Sequence, residues 1–147
     1  MKPSKPFNPF IQLIAQNYLS FGFLITSISV VGSLYFSEVM KLPPCDLCWY
    51  QRAFMYPQAV LFGIALWKND KSVKRYILSL SVVGFVIGIY HNLLQLNPGV
   101  LPCTDNSAVS CATKQIEVFG LDAIPLMSVA GFGVLIILSL LAYKIKK

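Results

Sequence analysis

Four stretches of this sequence are apolar, almost free of charge and long enough to cross a lipid bilayer as helices. They cover residues 18–36, 49–67, 76–94 and 123–143. Charged residues make up 12 % of the chain, against roughly 25 % in an ordinary soluble domain. The first stretch follows basic residues, as in a signal peptide, but it exceeds a usual signal core and no Ala-x-Ala site follows, so we expect it to be retained. We therefore predict an all-α membrane protein, a single domain over residues 1–147 that forms a four-transmembrane-helix bundle.

Basic residues are distributed unequally between the two sides of such a bundle. With four spans, both termini and the 68–75 connection share one side, and segments 37–48 and 95–122 form two loops on the other. The first side holds Lys2, Lys5, Lys68, Lys71, Lys74, Arg75, Lys144, Lys146 and Lys147, and the second holds Lys41 and Lys114. The positive-inside rule then predicts cytoplasmic termini. It also accounts for the net charge of +6, and no basic face interleaved with aromatic residues suggests nucleic-acid binding.

All four cysteines lie in the two segments predicted to face outward, Cys45 and Cys48 in the first, Cys103 and Cys111 in the second. Disulfides persist outside the cytoplasm and are rare within it, so we expect two local disulfides. A disulfide across two intervening residues closes a very short loop and restricts the unfolded chain little. Such a ring is readily reduced, which favours a redox role over a structural one for Cys45 and Cys48. For Cys103 and Cys111 the spacing leaves both roles open.

Metal or cofactor attachment is an alternative use of these cysteines. Cys-x2-Cys with a distant Cys-x7-Cys is not the usual spacing of a zinc site. A c-type haem needs His directly after the second cysteine, and position 49 is Trp. A thioredoxin domain needs a βαβ unit, which this pattern of apolar stretches does not contain. We therefore expect no bound metal.

Two further residues accompany the first cysteine pair. Arg52 follows Cys48 by four residues, so both lie on one face of a helix that begins near Cys48. The helix N-terminus and the guanidinium would favour a Cys48 thiolate, although an interfacial arginine that merely snorkels remains an alternative. His91, the only histidine, lies about one turn from the outer end of the third span. Because a helix rises 1.5 Å per residue, Arg52 and His91 should lie at a similar depth, ~6 Å below the helix ends. At that depth the two side chains could hydrogen-bond a small electron acceptor. For His91 the alternative is that it is merely solvated.

The sequence resembles the disulfide bond formation protein B (DsbB) family of membrane thiol–quinone oxidoreductases, including its Gram-positive BdbC branch. The resemblance covers nearly the whole chain. It rests on Pro-Cys-Asp-Leu-Cys-Trp-Tyr-Gln-Arg at 44–52, Tyr-His-Asn-Leu-Leu-Gln at 90–95, Pro-Cys at 102–103 with Cys111 beyond, and Gly-Leu-Asp-Ala-Ile-Pro at 120–125. It implies a protein of the bacterial cytoplasmic (inner) membrane that sustains disulfide bond formation outside the cytoplasm.

The resemblance also implies a role for each matched residue. Cys103 would form a mixed disulfide with a reduced thioredoxin-fold oxidase of DsbA type, and Cys111 would be its local partner. Cys45 would exchange with that loop pair, and Cys48 would pass electrons to a bound quinone, ubiquinone or menaquinone. The resemblance assigns Arg52 to the thiolate and the reduced quinone, and we add His91 as a second quinone-binding residue.

One departure and two rivals accompany this interpretation. Only seven residues separate Cys103 from Cys111, as in the BdbC branch, whereas several Gram-negative relatives have a longer interval. Vitamin-K-epoxide-reductase-like enzymes also combine four-helix bundles, cysteine pairs and quinones, but there the loop pair precedes the Cys-x-x-Cys. A non-catalytic membrane subunit or metal-handling protein with structural disulfides is the second rival.

Overall fold

The computed structural model describes residues 13–14, 16–70, 72–97, 117–118 and 121–145. Its long helices are α1 (Tyr18–Glu38), α2 (Asp46–Lys68), α3 (Lys74–Leu96) and α4 (Ala123–Ile145). Two short antiparallel strands, β1 (Glu117–Val118) and β2 (Leu121–Asp122), pair directly before α4. Cys103, Cys111 and most of the predicted outer segment 95–122 lie outside the described residues.

Each predicted span falls within one of the four helices, so the helical character of the fold is confirmed for the part of the chain that is described. Three helices, α1, α3 and α4, are long and apolar enough to cross a membrane. The second, α2, has 23 residues but is less apolar, because it carries Gln51, Arg52 and Gln58 among its apolar residues. The four-span count therefore remains a prediction.

The outward faces of the helices are apolar. Large apolar side chains are exposed on every helix, among them Leu24, Val60, Val86 and Ile137. Extensive exposed apolar surface marks contact with a membrane or a partner rather than with water. Lipid around the bundle accounts for these side chains.

The helices pack in a ring around a common core. α1 contacts α2 and α4, and α3 contacts the same two helices. Large side chains with almost no exposed surface fill the centre, namely Phe62, Ile77, Phe132 and Leu135. Tyr18 and Leu19 of α1 belong to the same core, so every helix contributes a face to the interior, which is how a bundle of this size buries its apolar stripes.

Two glycines let α3 approach α4 closely. A Cβ atom at Gly84 would overlap the ring of Phe132, and one at Gly88 would lie 2.7 Å from a methyl carbon of Val129. Small residues four apart allow this kind of contact between membrane helices. Gly88 precedes His91 by about one turn, so the contact helps determine the direction in which His91 points.

Candidate redox site at the start of α2

The Cys45–Cys48 pair lies at the N-terminus of α2. Cys45 is the N-cap residue, with extended backbone angles, and its carbonyl accepts the first hydrogen bond of the helix from the Trp49 amide at 3.1 Å. Cys48 lies in the first turn. The two sulfur atoms are 3.2 Å apart and neither cysteine is in a disulfide. The local geometry of a helix start thus brings the two sulfur atoms into contact. The spacing predicted a local disulfide, whereas the structure holds this pair as two thiols.

The two cysteines have different surroundings. Cys45 is 5 % exposed and packs with Leu94 of α3, with Leu47 and Tyr90 beside them, whereas Cys48 is half-buried. The hydrogen bond that the Cys45 thiol donates to Cys48, together with burial, raises the pKa of Cys45 to about 12. Cys45 therefore keeps its proton in the reduced pair. A thiolate would form at Cys48, where the helix N-terminus favours negative charge.

His91 and Gln51 continue the contacts of Cys45 into the interior. His91 Nε2 lies 3.8 Å from Cys45 Sγ, and Gln51 Nε2 lies 3.4 Å from His91 Nδ1. Both side chains are buried. The cysteine, the imidazole and the amide thus form a row of contacts that links α2 to α3. Which atom of the Gln51 amide faces His91 depends on which ring nitrogen of His91 carries the proton.

Arg52 is oriented towards α1. Its guanidinium donates to the backbone carbonyl of Ser33 at 3.2 Å and to the Ser37 hydroxyl, and its Cζ lies 5.7 Å from the centre of the Trp49 ring. These contacts hold the cation one turn inside the start of α2, at the depth that the sequence predicts. The two hydrogen bonds come from α1, so nothing local in the sequence indicates them, whereas Trp49 precedes Arg52 by three residues on α2 itself.

A cavity of about 360 Å³ lies between α1, α2 and α4. Its polar lining includes Cys48, Gln51 and Arg52. Its walls are mainly apolar, among them Ile28, Phe36, Met55, Ile124, Met127 and Phe132. An apolar groove along α1 shares Ile28, Gly32 and Phe36 with the cavity. The size and the few polar groups among apolar walls are typical of a small-molecule site, which spans roughly 300–1,000 Å³.

The structure separates two residues that the sequence analysis combined. Arg52 lines the cavity with Cys48, whereas His91 contacts Cys45 and Gln51 and is not among the residues that line the cavity. An equal depth in the bundle does not place His91 in the same cavity as Arg52, because the direction of the His91 side chain also depends on how α3 is rotated about its axis. The binding of an acceptor by Arg52 and His91 thus remains a prediction.

Gln51 is a site residue that the sequence analysis did not assign. It lies three residues after Cys48 and one before Arg52, so helical spacing places it on the same face as the cysteine. That spacing was a usable signal. Ser33 and Ser37 had no comparable signal, because only packing brings α1 beside Arg52. The roles predicted for Cys103 and Cys111 concern residues outside the described part of the chain.

The chain is similar to known proteins over most of its length. The model of the family "Disulfide bond formation protein DsbB" matches residues 15–142. Disulfide bond formation protein C of Bacillus subtilis (strain 168) is 41 % identical over 123 residues, which cover 82 % of this chain and 88 % of the relative. Probable disulfide formation protein C 2 of Bacillus cereus is 36 % identical over 128 residues, 87 % of this chain and 92 % of the relative. A probable disulfide formation protein of Coxiella burnetii is 38 % identical over 120 residues, 80 % of this chain and 82 % of the relative.

No solved structure matches the chain significantly. The family match extends from before α1 to three residues short of the end of α4, so it includes nearly the whole bundle together with the cysteine pair. Such coverage, with relatives of similar length, is what a shared overall architecture requires. The chain therefore belongs to the DsbB family of membrane-bound disulfide bond formation proteins, as the motif at 44–52 predicted.

Proposed function

We propose that this protein is a protein-dithiol:quinone oxidoreductase that reoxidises an extracytoplasmic thioredoxin-fold oxidase of DsbA type. Family membership supports a thiol oxidoreductase in a membrane. The observation that carries the finer proposal is the position of Cys48. Its sulfur belongs to the redox pair, and the same residue lines an apolar cavity that also contains Arg52.

The residues around the cavity fit a quinone. A quinone head is a flat apolar ring with two carbonyl oxygens, and the cavity offers apolar walls with the donors of Arg52 and Gln51. The groove along α1 supports access from the lipid for an apolar tail. A quinone bound there would supply an acceptor for two electrons and two protons, which matches the oxidation of one dithiol to one disulfide.

The two cysteines of the pair would have different roles, disulfide exchange for Cys45 and electron delivery for Cys48. Cys45 would receive electrons by disulfide exchange: the loop thiols attack the Cys45–Cys48 disulfide, the Cys103–Cys111 disulfide re-forms, and Cys45 and Cys48 become thiols. Cys45 then retains its proton because of burial and its hydrogen bond to Cys48. Cys48, as the thiolate beside Arg52, would deliver the electron pair towards the cavity while the Cys45–Cys48 disulfide re-forms. The Cys45 proton and the proton already lost from Cys48 balance the two that the acceptor takes up. A strongly oxidising partner can be regenerated only by a stronger acceptor.

The proposed topology follows from the same arrangement. We propose that α2 is the remaining span, so that both termini are cytoplasmic and both cysteine-bearing segments lie outside, in the bacterial cytoplasmic membrane. The far end of α2 supports this, because Val60, Ile64 and Trp67 are exposed apolar side chains. The polar residues that lower its hydropathy, Gln51 and Gln58, are buried within the bundle.

The test is quinone reduction in detergent with a reduced DsbA-type protein as the electron donor. Wild type and Cys48→Ser are compared with a ubiquinone and a menaquinone analogue, after size-exclusion chromatography has shown that both proteins are folded. We expect donor-dependent loss of quinone absorbance in the wild type and none in Cys48→Ser. Turnover that survives in Cys48→Ser refutes the mechanism. No turnover by folded wild type with either quinone would favour structural disulfides.

A further inference from the structure

Three side chains with metal-ligating atoms lie close together where the start of α2 meets the last turns of α3. Cys45 Sγ, Cys48 Sγ and a ring nitrogen of His91 all lie within 4.8 Å of one another. The two sulfurs are 3.2 Å apart and Cys45 Sγ is 3.8 Å from His91 Nε2. Given the lengths of Zn–S and Zn–N bonds, ligand atoms on one tetrahedral zinc ion lie about 3.5–3.8 Å apart. Small movements of these side chains would therefore suffice for the two sulfur atoms and the ring nitrogen to coordinate one ion.

Gln51 supplies the outer contact that a histidine ligand requires. A metal-bound histidine usually donates its second ring N–H to a neighbouring acceptor, which fixes the tautomer and the ring orientation. The amide of Gln51 lies 3.4 Å from His91 Nδ1. With its oxygen turned to that atom, the amide would accept the Nδ1 proton and leave the Nε2 lone pair directed at the sulfurs. Two thiolates and the imidazole would then form one donor set.

The charges of such a complex balance. Two thiolates carry a charge of minus two, which a divalent cation cancels, and the imidazole is neutral. Balance matters here because Cys45 and His91 are buried, and an uncompensated charge in such a place is costly. Cys48 borders the cavity, so a water molecule there can supply the fourth ligand. Sulfur and imidazole donors favour thiophilic and borderline cations over Mg²⁺ or Ca²⁺.

We propose that the reduced Cys45–Cys48 pair and His91 form a binding site for a thiophilic divalent cation such as Zn²⁺, which exists only in the dithiol state. Binding forms two metal–sulfur bonds and displaces the proton of Cys45, together with that of Cys48 at any pH where Cys48 is still protonated, and no electrons move. The disulfide form lacks both thiolates and cannot bind the ion in this way. A consequence that rests on the proposed function is that Zn²⁺ would hold the enzyme in its reduced form and inhibit turnover.

The binding test uses Co²⁺, whose spectrum reports tetrahedral geometry and thiolate ligands. The full chain carries Cys103→Ser and Cys111→Ser, so that Cys45 and Cys48 are its only thiols, and it is titrated in detergent, reduced and without oxygen. We expect one Co²⁺ per chain, with visible d–d bands, thiolate-to-cobalt charge-transfer absorption and release of the Cys45 proton, with the Cys48 proton released as well where that thiol is still protonated. After oxidation by diamide, which takes up the two electrons and two protons, these bands should be absent. Reduced, folded protein without such bands overturns the proposal.

Variants then assign the ligands. Gln51→Leu should weaken Co²⁺ binding about 10–100-fold, because it removes the outer contact and no ligand, and His91→Phe should weaken it further. Gln58→Leu removes another buried glutamine two turns along α2 and should leave the affinity unchanged. Should His91→Phe fail to fold, the Co²⁺ affinity of Gln51→Leu compared with that of Gln58→Leu still tests the proposed site. Affinity that is equal in Gln51→Leu, His91→Phe and the parent overturns the proposal.

The titration contains neither electron donor nor quinone, so it is independent of the oxidoreductase assay. Metal binding without turnover would contradict the proposed function alone, and turnover without metal binding would contradict the site alone. Where both hold, Zn²⁺ should inhibit quinone reduction in proportion to its occupancy of the dithiol. Inhibition that does not follow this occupancy would show that Zn²⁺ acts elsewhere.

Discussion

Cys45 and Cys48 are in contact, yet one is buried against α3 and the other borders the cavity between α1, α2 and α4. In the proposed mechanism, this asymmetry gives electron transfer through the pair a direction, from Cys45 to Cys48. The buried thiol keeps its proton, because its pKa is raised, whereas the half-buried one borders the proposed acceptor site and is the more accessible to reagents. In a dithiol with two equivalent cysteines, neither sulfur atom would be preferred for electron transfer to the acceptor.

The asymmetry predicts an order of alkylation in the reduced protein. Thiolates are the reactive form, and a pKa raised to about 12 keeps Cys45 protonated throughout the range in which ordinary thiols ionise. In the Cys103→Ser, Cys111→Ser chain, iodoacetamide should modify Cys48 well before Cys45 at pH 8–9. Mass spectrometry of the peptides measures both rates. In denatured protein the two rates should converge; equal rates in the folded protein would contradict the assignment.

Arg52 allows a second prediction at this scale. A hydrogen bond to a charged group contributes about 1.5–3 kcal/mol, so Arg52→Ala should raise the KM for quinone about 10–100-fold if the guanidinium binds the acceptor. Disulfide exchange with the donor should change little. Ser37→Ala is the matched control, because it removes one contact of the guanidinium and keeps the cation. An unchanged KM in Arg52→Ala would leave Arg52 a purely structural link between α2 and α1.

At the scale of helices, close packing of α3 on α4 depends on glycine. Gly84→Ala would drive a methyl group into the Phe132 ring, and we expect a cost of about 1–3 kcal/mol in the free energy of unfolding, partly offset by the better helix propensity of alanine. Gly32→Ala is the matched control, because nothing lies within 4 Å of its added methyl group. It should be neutral or stabilise by up to about 1 kcal/mol. Denaturation in detergent micelles compares the two; equal effects would contradict the packing.

A buried polar contact joins α2 to α3 near the middle of the bundle. The Ser81 hydroxyl donates to Gln58 Oε1 at 2.9 Å, and Gln58 Nε2 donates to the Phe54 carbonyl at 3.0 Å. Both side chains are fully buried. Hydrogen bonds of this kind between membrane helices typically contribute ~0.6 kcal/mol. Their presence explains how α2 can be the least apolar helix and still belong inside the bundle.

For the whole molecule, the topology makes a prediction that tests the fourth span. In a chain whose four cysteines are replaced by serine, Val39→Cys and Lys68→Cys put one thiol just beyond α1 and one at the far end of α2. A membrane-impermeant maleimide applied to intact spheroplasts should label Val39→Cys, and should label Lys68→Cys only after permeabilisation. Equal labelling of both in intact spheroplasts would mean that α2 does not cross the membrane.

Local features of the chain were sufficient to predict much of this protein. Apolar runs of bilayer length identified the helices, and the start of α2 places Cys45, Cys48 and Arg52 through spacing alone, because 3.6 residues per turn relates neighbours on one helix. The same rule would have identified Gln51. The antiparallel pair β1–β2 was not predicted, since four residues carry too little pattern to distinguish a strand from a loop.

Contacts between helices were decided only by the tertiary structure. Sequence position gives the depth of a residue along its helix, but not the rotation of that helix or the identity of its neighbours. Packing of Gly84 and Gly88 against α4 sets the rotation of α3 and with it the contact of His91 with Cys45. Packing of α1 on α2 likewise brings Ser33 and Ser37 to Arg52 and encloses the cavity. The sequence by itself therefore determined the family, the helices and the proximity of the two cysteines, whereas side-chain packing decided what each of those cysteines contacts.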